Sequence, residues 1–76
     1  MEIDKIKSII EAILFAAGRQ VTIKELMISL EIPKEDLENI IVSMQEDYRE
    51  QSRGIEIIKV DDSYQLCTKK ELYEFL

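Results

Sequence analysis

The sequence predicts an α+β fold, three helices followed by a β-hairpin, and three observations carry that prediction. Apolar residues recur at steps of three and four in three successive segments between Ile3 and Gln51. A threonine-led cap and a proline divide the second segment from its neighbours. After Gly54 the apolar period shortens from 3.6 to two, as a strand requires.

The first helix is expected from about Ile3 to Ala17. Asp4 suits its first turn, and Gly18 supplies the left-handed residue on which helices commonly end. Ile3, Ile6, Ile9, Ile10, Ile13, Leu14 and Ala17 span an arc of ~140–160° at ~100° per residue, wider than a minimal core stripe. Phe15 falls outside that arc, beside Glu11 and Ser8. It either tucks under a neighbouring loop or projects toward a partner.

Gln20-Val21 reads as a short connector with room for a single bridge of strand. Thr22-Ile23-Lys24-Glu25 has the capping-box pattern, in which threonine and glutamate each satisfy a backbone amide of the other. A second helix follows to about Glu31, with Ile23, Leu26, Met27 and Leu30 on one side and Ile28 pointing away. Pro33 suits a first helical turn, so the third helix is placed from there. Its stripe is Leu37, Ile40, Ile41, Met44 and Tyr48, and Gly54 is read as its cap.

Ile55-Glu56-Ile57-Ile58-Lys59-Val60 and Tyr64-Gln65-Leu66-Cys67-Thr68 then read as two strands, with Asp61-Asp62-Ser63 as the turn between them. Lys70 to Leu76 shows Leu72, Tyr73, Phe75 and Leu76 in a helical register that stops in mid-pattern, which suggests a fragment of a longer protein or a missing segment that docks elsewhere. Helix, helix-turn-helix and hairpin in that order is the winged-helix arrangement, with the hairpin as wing. One domain, residues 1–76, accounts for the chain.

Composition narrows the function. At 76 residues and 46% apolar content, the chain is one small globular domain close to the size at which a core sustains itself. It contains no histidine, one cysteine and two glycines. The commonest general base, a Cys/His zinc site and a phosphate-cradling glycine loop are therefore all missing. Carboxylates stand at helix-surface spacing and read as a solvated face. No enzyme, cofactor or metal is expected. No apolar run is long enough to span a bilayer. Cys67 has no internal partner, which suits a reducing cytoplasm, and reads as a small packing side chain.

The architecture invites nucleic-acid binding, but the charges oppose it. From Lys34 to Gln51 six acidic residues, Glu35, Asp36, Glu38, Glu46, Asp47 and Glu50, face only Lys34 and Arg49. In DNA-reading proteins of this architecture the corresponding helix enters the major groove, where such a charge is repelled. Asp61 and Asp62 would put the wing tip against phosphate. Asn39 is the one plausible base-reading side chain. A transcriptional regulator using Arg53, Lys59, Lys69 and Lys70 is the alternative reading.

Protein–protein association is the better fit. The apolar residues left over from the stripes, Ile3, Ile9, Phe15, Ile28 and Val42, with Tyr64 on the wing, form the candidate interaction surface. The first helix is either an interface or a central helix covered by the other elements. The acidic face of the third is either solvated or turned to a basic partner, and solvent is favoured.

Two phrases carry a resemblance. Ile10-Glu11-Ala12-Ile13-Leu14-Phe15-Ala16-Ala17-Gly18 followed by Val21-Thr22-Ile23-Lys24-Glu25-Leu26 resembles the opening of the bacterial segregation and condensation protein B family. Gly54-Ile55-Glu56-Ile57-Ile58-Lys59-Val60 followed by Tyr64-Gln65-Leu66 and Thr68-Lys69 is similar to its wing. Pro33 departs from the pattern, where a capping Ser or Asp would be expected. The resemblance implies a non-enzymatic accessory subunit of the bacterial condensin complex, built from two winged-helix domains, of which this chain is similar to the N-terminal one. It further implies homodimerisation through that domain. Contact with the kleisin subunit, segregation and condensation protein A, and through it with the SMC ATPase, belongs largely to the second domain. A cytoplasmic, nucleoid-associated location, without direct DNA or membrane contact, follows from that role.

Overall fold

A computed structural model describes all 76 residues. Three helices, α1 (Ile3–Ala17), α2 (Ile23–Leu30) and α3 (Lys34–Glu50), pack with a small sheet of β1 (Val21–Thr22), β2 (Ile55–Val60) and β3 (Ser63–Thr68). A 3-10 turn, Lys70–Phe75, closes the chain. The sheet is antiparallel in the order β1-β3-β2. The winged-helix reading is therefore correct, with the connector at Val21 contributing the third strand.

Helix ends follow local chemistry. Gly18 at φ 60° closes α1, its amide bonded to the Leu14 carbonyl. At α2 the capping box forms in full. The Glu25 amide donates to Thr22 Oγ1 at 3.0 Å, and the Thr22 amide donates to the Glu25 carboxylate at 2.9 Å. Glu31, at φ 55°, ends α2 in the left-handed region.

Two expected boundaries shift. Pro33 lies outside α3 as its N-cap, with extended backbone at ψ 152°, and its carbonyl accepts the first helical bond from the Leu37 amide at 3.0 Å. The missing proline amide is not needed at a cap, so the ring costs nothing there. Gly54 does not cap α3. Gln51 ends the helix and Ser52, at φ 52°, makes the left-handed turn. Gly54 instead starts the wing, its carbonyl accepting from the Lys69 amide at 3.0 Å.

The wing turn is tighter than the sequence suggests. Ser63 pairs with Val60, leaving Asp61 and Asp62 alone at the tip. Asp61 adopts φ 56°, a conformation aspartate tolerates better than most residues. Tyr64 is the main correction. It pairs with both Val21 and Lys59 on the central strand and is 3% exposed, so it belongs to the core and not to an interaction surface. The C-terminal segment is helical as expected, but as a 3-10 turn whose Tyr73, Phe75 and Leu76 face solvent.

Twelve residues are buried and all are apolar or aromatic. Polar groups act at the edge of this core. Lys7 Nζ donates to Asp47 Oδ2 at 2.7 Å and to Ser43 Oγ at 2.8 Å, tying α1 to α3. The Tyr48 hydroxyl donates to the Glu11 carboxylate across the same pair. Gln45 Nε2 donates to the Ile57 carbonyl at 2.9 Å and joins α3 to the wing.

Two measurements check this account. Replacing Thr22 with Ala removes one side of the capping box and is expected to lower unfolding free energy by about 1 kcal/mol in urea melts, with the slope unchanged. Burial first, and then the Glu11 carboxylate, push the Tyr48 hydroxyl well above the ordinary tyrosine range. The native state thus holds this proton after the unfolded chain releases it. The associated stability is complete below about pH 10 and declines as pH rises beyond it. Tyr48→Phe should make the alkaline decline shallower than in the parent chain. Tyr64, also raised by burial, leaves a remainder.

Candidate protein-interaction site

With Tyr64 in the core, five candidate surface residues remain, and the fold distributes them over several faces. Phe15 is 78% exposed on the outer side of α1. It therefore projects and does not tuck under a loop. With Ala12, Ser8 and Glu11 of α1, Arg53, and the wing residues Ile55 and Leu66, it lines a cleft of about 270 Å³ between helix and wing. Ile3, 53% exposed, lies at the opposite end of α1 beside the α2–α3 turn. Ile28 of α2 borders a hollow shared with Ile13, Ala17 and Val21. Ile9 is half-buried.

Val42 stands on the outward face of α3, with Glu38, Asn39, Gln45 and Glu46 as its neighbours three and four residues away. A single valine within that polar surround offers little continuous apolar area.

The question of whether α1 is central or interfacial resolves into two sides. Ile6, Ile10 and Leu14 are buried and Ile13 and Ala17 pack against the core, so most of the wide arc is structural. The exposed side carries Asp4 and Lys5 in its first turn and then Ser8, Ala12, Phe15 and Ala16, small residues around one phenylalanine, with Glu11 at their margin. The sequence singles out Phe15 but not Ala12, Arg53, Ile55 and Leu66 as the residues that line the cleft with it. The spacing of Ala12 and Ala16 around Phe15 was the available signal for the helix side. Nothing local to the wing sequence announced that Ile55 and Leu66 meet it.

Electrostatics separate the faces. Arg53 has no carboxylate partner. Its guanidinium lies 5.4 Å from the centre of the Tyr48 ring and donates to Gln51 Oε1 at 3.3 Å. The basic wing residues of the DNA-reader alternative are partly committed within the fold. Lys59 pairs with Glu38 at 3.8 Å, and Lys69 Nζ donates to the Tyr48 carbonyl at 3.2 Å. Asn39 and the acidic side chains of α3 share its outward face, which repels a polyanion. Glu25 is held below the usual carboxylate range by the Thr22 amide and then by Arg19, which fits a structural cap. Burial, then Glu38, raises the Tyr64 hydroxyl. Cys67 is half-buried on β3 without a disulfide. No group of carboxylates and thiols is arranged to hold a metal ion, and no helix is long and apolar enough to cross a membrane.

Comparison with known proteins agrees with this architecture. Residues 8–76 match the family described as segregation and condensation complex subunit ScpB. Segregation and condensation protein B of Clostridioides difficile is 42% identical across the whole chain, which covers 44% of that relative. The Alkaliphilus oremlandii protein of the same name is 45% identical, with 41% of its length covered. That of Bacillus subtilis is 42% identical over 92% of the chain and 36% of its own length. The chain thus spans less than half of the curated relatives it matches. Among solved structures, one described as a dimer of the ScpB N-terminal domain complexed with ScpA peptide superposes with a TM-score of 0.89. It is 31% identical, and the match covers 96% of this chain and 91% of that one. ScpB from Mycobacterium tuberculosis, 19% identical with a TM-score of 0.91, shows the same fold over 99% of this chain and 47% of that one. Fold, helix phrase and wing phrase agree: the chain belongs to the segregation and condensation complex subunit ScpB family.

Proposed function

We propose that this domain is a non-enzymatic scaffold module that pairs with a second copy of itself inside a bacterial SMC–kleisin condensin complex. One observation carries the reading. The chain matches its family over residues 8–76, and a 31% identical relative of almost the same extent is described as an N-terminal domain dimer holding an ScpA peptide. That extent also supports reading the chain as the N-terminal winged helix of a two-domain subunit. The kleisin segregation and condensation protein A is the direct partner, and the SMC ATPase is reached through it. DNA is organised by the assembled complex and not read by α3, and work on the chromosome places the protein in the cytoplasm.

The strip Ser8, Ala12, Phe15 and Ala16 is the self-association face. Small residues let two helices approach closely, and an exposed phenylalanine next to an apolar cleft suits a contact that a two-fold axis repeats. Each Phe15 then packs toward the Ala12, Ile55 and Leu66 cleft of the other copy. The mechanism is geometric. Two copies present two binding arms to one kleisin, and the second contact forms at raised effective concentration without any chemistry.

Sedimentation at a series of concentrations tests the pairing. The parent chain is expected to dimerise in the micromolar range, and Phe15→Asp to sediment as a monomer with unchanged helical circular dichroism. Ile9→Asp, at a half-buried position, is expected to destabilise the fold instead. A parent chain that stays monomeric at high micromolar concentration rejects the self-association, and a Phe15→Asp dimer moves the interface off α1.

A further inference from the structure

The more apolar hollow of the molecule lies between the start of α1 and the α2–α3 turn, where Ile3, Ile6, Ile32, Pro33 and Ile40 line a groove of about 420 Å³. Asp36 is the only charge in that lining, too little to select an occupant. The cleft beside Phe15 is different, because it holds one charge of each sign, Glu11 and Arg53. No ion pair joins them within the chain, whose three such pairs are Lys7–Asp47, Arg19–Glu25 and Lys59–Glu38.

Tyr48 holds both charges in place. Its hydroxyl donates to Glu11 Oε2, which leaves Oε1 without a partner, and its ring lies against the Arg53 guanidinium. Arg53 donates from Nη1 to Gln51, while its Nε and Nη2 bond nothing in the chain. Asp47, in the adjoining hollow, is taken by Lys7. Two opposite charges are therefore fixed at the rim of an apolar cleft, each with hydrogen-bonding capacity unused. Side chains ordered beforehand lose less entropy in any contact they make.

The spacing along α1 decides what they meet. Ala12 stands midway between Ser8 and Ala16. An antiparallel approach of two α1 helices about a two-fold axis at Ala12 thus sets Ser8 of each copy opposite Ala16 of the other. Glu11 then lies about 1.5 Å of helix rise from the axis, and the two Glu11 carboxylates approach one another. Left alone they would repel, and each copy already carries a net charge of −6. Arg53, beside Glu11 in the same cleft, supplies the opposite charge from each side. Asp4 and Lys5 in the first turn cancel in the same way, so this face is balanced although the chain is not. Resting on the self-association proposed above, we infer that Glu11 of each copy pairs with Arg53 of the other across the axis, and that this crossed pair makes the α1 face select its own copy. Contact around Phe15 takes water from both charges, which then cost affinity unless they are matched.

Exchanging the charges tests this by sedimentation. Arg53→Glu sets four carboxylates about the axis of its own dimer, and Glu11→Arg sets four cations there. Each variant alone is expected to self-associate at least about tenfold more weakly than the parent chain, with helical circular dichroism retained. An equimolar mixture of the two is expected to regain a dimer of parental affinity, since every contact across the axis is then between opposite charges. The mixture leaves like charges side by side within each chain, so rescue reports contact between copies alone. Glu11→Gln, which can still accept from Tyr48, replaces Glu11→Arg if the latter loses its helical signal. Mixed with Arg53→Glu, it is likewise expected to pair. Variants that dimerise alone as tightly as the parent overturn the crossed pair and leave the self-association standing. A mixture no tighter than either variant overturns it too, and places the effect of the substitutions inside one chain. A parent chain that is monomeric at high micromolar concentration rejects the self-association, and the crossed pair with it.

Discussion

Five side chains wholly withdrawn from water hold this domain together: Ile10 and Leu14 of α1, Leu26 of α2, and Leu37 and Ile41 of α3. Every helix contributes, and no polar side chain lies among the twelve buried residues. A chain of this length has little core to spare, so truncation of any of the five to alanine removes a share on the order of 2–5 kcal/mol from a small total. The constraint fixes the orientation of α1 about its own axis. With Ile6, Ile10 and Leu14 inward, Phe15 must face out, and Ile3 must stand at the end of the bundle. The exposed apolar sites are consequences of the buried ones.

The polar ties gain their meaning from that dry centre. Lys7 with Asp47, and Tyr48 with Glu11, bridge α1 and α3 at the margin, where neither charge is fully desolvated. Each pair taken alone contributes modestly at such exposure. Together they set the separation of the two helices that frame both the wing cleft and the apolar groove. Gln45 does the same for α3 and β2 by capturing the Ile57 carbonyl.

Periodicity and capping chemistry made most of the fold legible. The α1 boundaries, the Thr22–Glu25 box and the hairpin pairing rest on interactions within a few residues, which a sequence displays directly. Pro33 and Gly54 were misplaced because a residue type allows several roles. Proline is at home at a first helical position or a cap, and Ser52 took the left-handed turn that glycine usually takes. Tyr64 was misassigned for a different reason. Alternation on a hairpin gives two faces but not which face meets the core, and the pairing with Val21, some forty residues earlier, decides it. The same limit hid the two hollows. Ala12 with Leu66, and Ile3 with Ile40, become neighbours only through the packing of distant segments.

The acidic third helix has a local cause as well as a functional consequence. Glu35 and Asp36 in the first turn and Arg49 in the last are placed as the helix dipole favours, so part of this charge stabilises α3 itself. Glu38 also pairs with Lys59 of the wing. The charge therefore does not require a partner on the outward face, where Val42 offers little apolar area and solvation suffices. Asp36 differs from the rest because it borders an apolar groove. The side of α1 around Phe15 has Glu11 and Arg53 at its margin and the small residues Ser8, Ala12 and Ala16 that close helix approach needs. A helix-turn-helix without the electrostatics of a DNA reader thus presents two hollows of different character, the cleft beside Phe15 and the more apolar groove beside Asp36.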